Sequence, residues 1–136
     1  MLLWLLNALA LTFGVVLGAR GLVDPHWAAR LVRLREDGAG GFAEFRATYG
    51  GVFLFMHLIA LAFTLKYLTA GENIAGVLAV GAAAVLSAGW AGAACGRLTA
   101  MWRDGADTPF NRVSVGVEGA MAALIGGPLA VWFVFG

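Results

Sequence analysis

Charged residues are scarce in this sequence. Asp, Glu, Lys and Arg make up 12% of the 136 residues, whereas hydrophobic residues make up 61%. Soluble domains carry about a quarter charged residues, so the composition excludes an ordinary soluble domain and predicts an integral membrane protein. The length predicts a single domain over residues 1–136, with no separate soluble module.

Cysteine is almost absent. Cys95 is the one cysteine, which excludes an internal disulfide and a metal site built from several cysteines. The sequence also lacks a Ser/His/Asp set, a phosphate-binding loop and a carboxylate cluster with metal-ligand spacing. We therefore expect no catalytic residues, no metal and no cofactor. The net charge of +1 does not indicate a nucleic-acid partner.

Four apolar segments are each about as long as a membrane-spanning helix, which needs roughly 20 residues. They cover approximately residues 2–19, 44–67, 74–96 and 112–135. The first has no Lys or Arg before Arg20, whereas a secretory signal would begin with basic residues, so we expect a retained transmembrane helix. The sequence thus predicts an all-α fold, a four-helix transmembrane bundle.

A short amphipathic helix is predicted between spans one and two. Asp24 and Pro25 form a helix start, in which an acidic N-cap precedes proline at the first helical position. Trp27, Leu31 and Leu34 then recur at helical spacing. Such a helix would lie in the membrane interface with its tryptophan at headgroup depth. An irregular loop that holds a tryptophan is the alternative.

Small residues recur at steps of three and four along the third span. They are Gly81, Ala84, Ala88, Ala91, Gly92 and Cys95. Smooth faces of this kind let helix backbones approach closely in lipid, where packing must replace the hydrophobic effect. We therefore predict that the third span packs at the centre of the bundle.

The arginines are concentrated on one side of the predicted membrane. The connections after spans one and three, with their edges, hold Arg20, Arg30, Arg33, Arg35, Arg97, Arg103 and Arg112. The turn after span two holds only Lys66, and neither terminus holds a Lys or Arg. Because short basic loops stay in the cytoplasm, we expect a bacterial inner-membrane protein with both termini periplasmic.

The second span begins with a polar stripe. Arg46, Tyr49 and His57 fall on one helical face together with Gly50 and Phe53. A stripe that mixes polar groups with small residues inside a bilayer must face protein or water rather than lipid. We therefore expect the other three spans to be arranged around this face.

His57 would lie near mid-membrane, about 16 Å beyond Arg46 along a helix. A proton carrier or an axial haem ligand is one interpretation. Haem held by two histidines needs a second one at similar depth, and His26 lies in the polar connection. We favour a neutral histidine that is hydrogen-bonded to a neighbouring helix, with Asn7 or Ser87 as conceivable partners.

Glu118 is the most unusual residue of the fourth span, because an ionised carboxylate in a membrane needs a partner. It lies about 9 Å deeper than Arg112 along a helix. Arg46 and Arg97 stand at compatible depths, and we expect an ion pair with Arg97 that fixes helix register. An anion, lipid-headgroup or proton site is the alternative. The candidate residues for the site are thus Arg46, Tyr49, His57, Arg97 and Glu118.

Several short motifs follow one another in a recognisable order. They are Asp24-Pro25, Glu44-x-Arg46-Ala47-x-Tyr49-Gly50-Gly51, Gly96-Arg97, Asp104-Gly105 with Pro109, and Glu118. This order resembles an uncharacterised bacterial family of small four-helix membrane proteins, a domain of unknown function. The resemblance covers nearly the whole chain and implies a fold, but no established activity, substrate or cofactor. In size and span count the chain is also similar to small quinone-associated oxidase subunits, a likeness of architecture that does not imply function.

Two functions of different classes are consistent with these patterns. The first is a non-catalytic structural or accessory subunit that packs against a larger membrane assembly or against itself. Its expected partners are membrane lipids and other membrane-protein subunits. The alternative is a protein or enzyme that binds a lipid or quinone on the cytoplasmic side, through Arg46, Arg97 and Glu118.

Overall fold

The computed structural model describes residues 1–135, and it describes side chains as far as Phe133. Over this range the chain forms five helices: α1 (Leu2–Val23), α2 (Pro25–Val32), α3 (Gly38–Ala70), α4 (Asn73–Arg103) and α5 (Pro109–Phe135). Within the same range, four of them (α1, α3, α4 and α5) are long and apolar enough to cross a membrane. The predicted all-α architecture with four spans is confirmed.

The four long helices form a closed ring. Helix α1 packs against α3 and α5, and α4 packs against the same two helices from the other side. Because short connections join them in sequence, neighbours run in opposite directions. The connections 24–37 and 104–108 therefore share one end of the bundle, which we name the arginine-rich end. The turn at Gly71 and Glu72 lies at the opposite end, with Met1.

Helices α1 and α3 approach each other closely. A Cβ atom on Gly18 would collide with the backbone nitrogen of Leu54, and one on Gly21 would lie 2.5 Å from the carbonyl oxygen of Tyr49. From the other side, a Cβ on Gly50 would lie 2.5 Å from the Cα of Leu22. These glycines let two backbones touch, which is how helices gain packing energy in lipid.

Most of the small-residue face of α4 does not pack inside the bundle, so the prediction that this face makes the third span central is wrong. Gly81, Ala88, Ala91, Gly92 and Cys95 are exposed, and Ala84 is half-buried. A Cβ on Gly81 or Gly92 would have no atom within 4 Å among the described residues. Helix α4 carries Ala and Gly on every side. Periodicity therefore could not identify its buried face, which is formed by Ala75, Gly76, Ala79, Val80, Ala83, Leu86 and Ala94.

The predicted short helix is present as α2. Its N-cap is Asp24, whose carboxylate accepts a hydrogen bond from the backbone N–H of Trp27 at 3.0 Å. The helix ends at Val32, because Arg33 adopts a left-handed conformation with φ of 59°. Leu34 of the predicted apolar stripe therefore lies beyond the helix. Helix α2 packs on α1 and on the first part of α3.

Helix α3 begins six residues earlier than predicted, at Gly38 rather than near Glu44. Glycines are poor helix formers, so the sequence placed this stretch in the connection. The burial of Phe45 against Ala28 and Ala29 of α2 stabilises the extra turns. Phe42 also packs on the ring of His26, with 4.3 Å between the ring centroids.

A π-helical segment, Arg46–Val52, interrupts α3 just where it enters the span. It widens the helix and changes its register. The residues of the polar stripe, which was predicted from a constant helical period, therefore contact different parts of the molecule. Gly50 is buried against α1, whereas Arg46 is exposed and donates hydrogen bonds to the carbonyls of Leu22 and Val23. Those carbonyls end α1 and lack helical donors, so Arg46 satisfies them.

A buried polar network holds the opposite half of the bundle together. The Asn7 amide donates to the carbonyl of Ile125 at 2.7 Å, and the Thr64 hydroxyl donates to the Asn7 side-chain oxygen at 2.9 Å. The carbonyl of Ile125 lies in the turn that precedes Pro128, which stands inside α5. The network links α1, α3 and α5, and such satisfied polar contacts fix helix register in an apolar surrounding.

Candidate functional site

A cleft of about 760 Å³ lies between the α1–α3 pair and the α4–α5 pair. Its walls are mostly apolar, with residues such as Phe13, Val52, Leu86 and Val117. Trp27, Ala28 and Leu31 of α2 line the same space. Along α4 the lining extends from Leu86 to Arg97, a distance of about 16 Å for a helix. The cleft is therefore long and apolar, with α2 at its arginine-rich end.

The polar part of the cleft is formed by Arg97 and Glu118. The Nε of Arg97 donates to the Oε1 of Glu118 at 2.6 Å, which is the length of a charge-assisted hydrogen bond. Glu118 is buried, with 7% of its surface exposed, and its Oε2 has no hydrogen-bond partner within the described part of the chain. The expected pairing of these two residues is present, and it leaves one carboxylate oxygen without a donor.

The connection before α5 holds Arg97 in place. Asn111 accepts a hydrogen bond from Nη1 of Arg97 at 3.3 Å, and its amide nitrogen donates to the carbonyl of Ala106 at 2.7 Å. The backbone N–H of Asn111 donates to the Thr108 hydroxyl, which forms the predicted cap before Pro109. The start of α5 therefore fixes Asn111, which in turn orients the guanidinium of Arg97.

Phe110 brings two arginines together at this end. The guanidinium of Arg33 lies 3.8 Å from the centroid of its ring, and that of Arg97 lies 5.8 Å away. Arginine over an aromatic face is attracted by the ring quadrupole. Because Arg33 follows α2 directly, this contact links the α2 connection to the α4–α5 pair.

His57 lies deeper in the cleft and is 1% exposed. The indole nitrogen of Trp90 donates to its Nε2 at 3.1 Å, and its Nδ1 lies 2.7 Å from the carbonyl of Phe53. An indole can only donate, so Nε2 accepts, and Nδ1 carries the proton that it donates to Phe53. Both ring nitrogens of His57 are therefore engaged within the bundle.

Neither Asn7 nor Ser87 is the partner of His57, which corrects that expectation. Asn7 is engaged with Thr64 and Ile125, and the Ser87 hydroxyl donates to the carbonyl of Ala122 at 2.8 Å. The sequence analysis considered only Asn7 and Ser87 as partners and so missed the true one, Trp90. Trp90 lies in the middle of α4, and this interior position was the signal that it has a polar contact of its own.

The cleft brings together four of the five candidate residues: Tyr49, His57, Arg97 and Glu118. Tyr49 lines it from the π-helical segment and stacks on Phe45, with 5.6 Å between the centroids. Arg46 does not belong to this group, since its guanidinium is bound to the end of α1. A site formed by Arg46, Arg97 and Glu118 together is thus not what the structure shows.

No family model, curated protein or solved structure matches this chain. The resemblance to a bacterial family of small four-helix membrane proteins therefore stays a prediction. What the site can do must be argued from its own geometry.

Proposed function

We propose that this multi-pass membrane protein binds an amphipathic small molecule, a lipid or a quinone, in the cleft between its two helix pairs. The observation that carries the proposal is the cleft itself, with a volume of about 760 Å³, long apolar walls and a charged pair, Arg97 and Glu118, at one part of it. Ligand sites in proteins commonly have volumes of about 300–1,000 Å³ and combine apolar walls with a few polar groups.

The polar residues would supply the selectivity of such a site. Inside a bilayer an alkyl chain gains little by leaving lipid for an apolar cleft, because both surroundings are equally apolar. Discrimination must then come from shape and from hydrogen bonds at the ligand's polar head. Arg97 and Glu118 are the charged side chains that line the cleft among the described residues.

Binding fits the site better than catalysis. Both nitrogens of His57 are held by Phe53 and Trp90, so this histidine has no ring nitrogen left for a ligand in the described arrangement. Arg97 is likewise held by Glu118 and Asn111. Fixed groups of this kind orient a bound molecule, and they leave a general base or nucleophile unassigned.

The proposal includes a location. The arginine-rich end would face the cytoplasm of a bacterial inner membrane and both termini would be periplasmic, because basic connections remain inside. The polar head of the ligand would then lie at the depth of the cytoplasmic leaflet, near Glu118. Its chain would extend toward His57 and Leu86, which line the deeper part of the cleft.

Gentle purification followed by mass spectrometry of the bound molecules tests the proposal. Gly89→Phe should remove the bound molecule, because Gly89 lines the cleft and a Cβ there meets no atom within 4 Å among the described residues. Gly92→Phe is the control, since the same change on the exposed face of α4 leaves the cleft intact. Equal loss or equal retention in both variants would contradict the proposal.

A second candidate function is supported by the exposed small-residue faces. Gly92 and Cys95 of α4, and Gly116 and Gly119 of α5, are exposed although their spacing suits close helix packing. We propose on this ground that the chain can pack, as an accessory subunit or as a homo-oligomer, against further transmembrane helices. Oxidative cross-linking through Cys95 tests self-association: a dimer that Gly92→Leu abolishes supports it, and a monomer in native membranes contradicts it.

A further inference from the structure

The guanidinium group of Arg97 indicates what kind of polar head the cleft accepts. We propose that the ligand is an anionic lipid, whose phosphate accepts hydrogen bonds from Arg97 and is attracted by Arg33, the residue that follows α2. This identification of the ligand rests on the proposed function, since the anionic lipid is the molecule bound in the same cleft.

Arg97 keeps hydrogen-bond donors for a ligand, although two of its nitrogens are engaged. Its Nε donates to Glu118 and its Nη1 donates to Asn111, whereas its Nη2 makes no hydrogen bond within the described residues. The Arg97 side chain is 32% exposed, and Nη2 is accessible. Because a guanidinium can only donate, the head that meets it must bring an acceptor, such as a phosphate or carbonyl oxygen.

Glu118 offers the ligand no free carboxylate oxygen. Its Oε1 accepts from Arg97, and its Oε2 has less than 1 Å² of accessible surface. An amine or hydroxyl head would therefore find donors where it needs an acceptor. Since the Glu118 carboxylate balances the charge of Arg97, an anionic head requires a further positive charge nearby.

Arg33 supplies this positive charge. Its guanidinium lies 3.8 Å from the centroid of the Phe110 ring, and that of Arg97 lies 5.8 Å from the same centroid. Phe110 lines the cleft, and so does Leu34, which is next to Arg33. No carboxylate lies within salt-bridge distance of Arg33 among the described residues. A phosphate at Arg97 would thus lie beside a second, unbalanced guanidinium.

The surroundings of Arg33 are positively charged as well. A second depression, with a volume of about 330 Å³, shares Leu34 with the cleft. Arg30, Arg33 and Arg35 line it, against one carboxylate, that of Glu36. A surface lined by an excess of one charge attracts the opposite charge. This excess favours a phosphate over a neutral carbonyl, which would use the donors of Arg97 but would leave the charge of Arg33 unbalanced.

Four probes test the ligand class by calorimetry on the full chain in detergent micelles. Dioctanoyl phosphatidate and dioctanoylglycerol differ only in the phosphate. A decyl quinone offers carbonyl acceptors without a charge. Inorganic phosphate offers the anion without a chain, and it distinguishes a lipid head from a free phosphate.

The wild-type protein should bind phosphatidate at least about tenfold more tightly than dioctanoylglycerol and the quinone, because only phosphatidate makes charge-assisted hydrogen bonds. Gly89→Phe should abolish phosphatidate binding, since it fills the cleft that holds the chains.

Arg33→Gln should weaken phosphatidate binding about tenfold and leave dioctanoylglycerol unaffected. Arg103→Gln is the matched control, because it removes the same charge from an exposed arginine at the same end, outside the cleft. Arg33→Gly is a second variant: Arg33 has φ of 59°, which glycine adopts readily, so the end of α2 is preserved without the guanidinium.

Equal binding of phosphatidate and dioctanoylglycerol by the wild-type protein, or tighter binding of the quinone, would overturn the anionic ligand. The molecules extracted from the purified protein decide the proposed function separately. Phosphatidate binding that Gly89→Phe does not change, with inorganic phosphate bound equally tightly, would indicate a free phosphate instead of a lipid. Equal losses in Arg33→Gln and Arg103→Gln would contradict a specific role of Arg33. The wild-type comparison needs no variant, so it remains decisive if a variant does not fold.

Discussion

Glu118 is a charged residue in an apolar helix, and Arg97 makes its burial possible. With the guanidinium 2.6 Å from the carboxylate and only a tenth of the Glu118 side chain exposed, removal of either partner strands a charge. Glu118→Gln and Arg97→Gln should each lower the free energy of unfolding by about 3 kcal/mol. The double variant should cost much less than the sum, as measured by unfolding in detergent.

Arg46→Gln is the control for this cycle. Arg46 is bound to the carbonyls that end α1, so its loss should add to that of Glu118 without coupling. Additive effects of Glu118 and Arg97 would show that the pair does not stabilise the bundle.

Gly18 allows a second prediction, which concerns the stability of the bundle. An added Cβ would meet the backbone of Leu54, which cannot move aside as a flexible side chain could, so Gly18→Ala should cost about 1–3 kcal/mol. Gly81→Ala is the matched control, because the described residues leave open space there, and it should be neutral or stabilising. Equal thermal stability of the two variants would contradict the close α1–α3 contact.

The residues of the site were predictable to different degrees. Glu118 and Arg97 stand out because charges are rare within apolar spans. Their depths in the membrane left only a few basic residues that could pair with Glu118. The bond between His57 and Trp90 was not predictable, because it depends on how α3 and α4 rotate about their axes. A helical period fixes which residues share a face, but it does not fix which neighbour that face meets.

At the scale of elements, the N-terminal cap of α2 depends on pH. The hydrogen bond from the Trp27 backbone N–H lowers the pKa of the Asp24 carboxyl below its usual range. The cap therefore stabilises α2 at neutral pH and is lost as the pH falls through that lowered pKa. Hydrogen exchange should show that Trp27 amide protection decreases over this acidic window.

Asp24→Asn is the control for the helix cap, because asparagine also accepts at an N-cap position but does not titrate. In that variant the protection of the Trp27 amide should not change over the same pH range. A parallel loss of protection in both proteins would mean that the start of α2 does not depend on the Asp24 carboxylate.

The π-helical segment explains why the sequence predicted the span in α3 but not which of its residues share a face. The apolar run of α3 predicted a span, whereas Arg46–Val52 departs from the constant period on which the polar stripe was based. Glycines at 50 and 51 permit the wider turns, but glycine pairs in membrane helices also serve close packing. Composition therefore does not show whether a glycine pair serves a wider turn or close packing. Only the contact with α1 shows that.

At the scale of the whole molecule, the orientation of the bundle is a prediction that labelling can check. Gly38 and Gly105 lie exposed at the arginine-rich end, but both have positive φ, so the labels belong on their exposed neighbours Ala39 and Asp104. With Cys95 replaced by serine, cysteines at positions 39 and 104 should resist an impermeant thiol reagent applied to intact cells. They should react in inverted vesicles. Labelling of position 39 from outside would reverse the proposed topology.

The cleft is a property of the whole molecule that no single stretch of sequence carries. Its lining comes from all five helices of the described range, and most of its residues are ordinary apolar ones. The four spans were predictable from hydropathy because each is a local pattern. The gap between the two helix pairs depends on how the helices pack against one another, which no local pattern specifies.

The most direct test of an amphiphile site is a crystal structure of the protein grown from a lipidic mesophase after gentle purification. We expect elongated density in the cleft, with a polar head within hydrogen-bond distance of the Arg97–Glu118 pair and a chain that extends toward Leu86. A cleft that is closed by its own side chains, or that holds only water from Glu118 to Leu86, would contradict it.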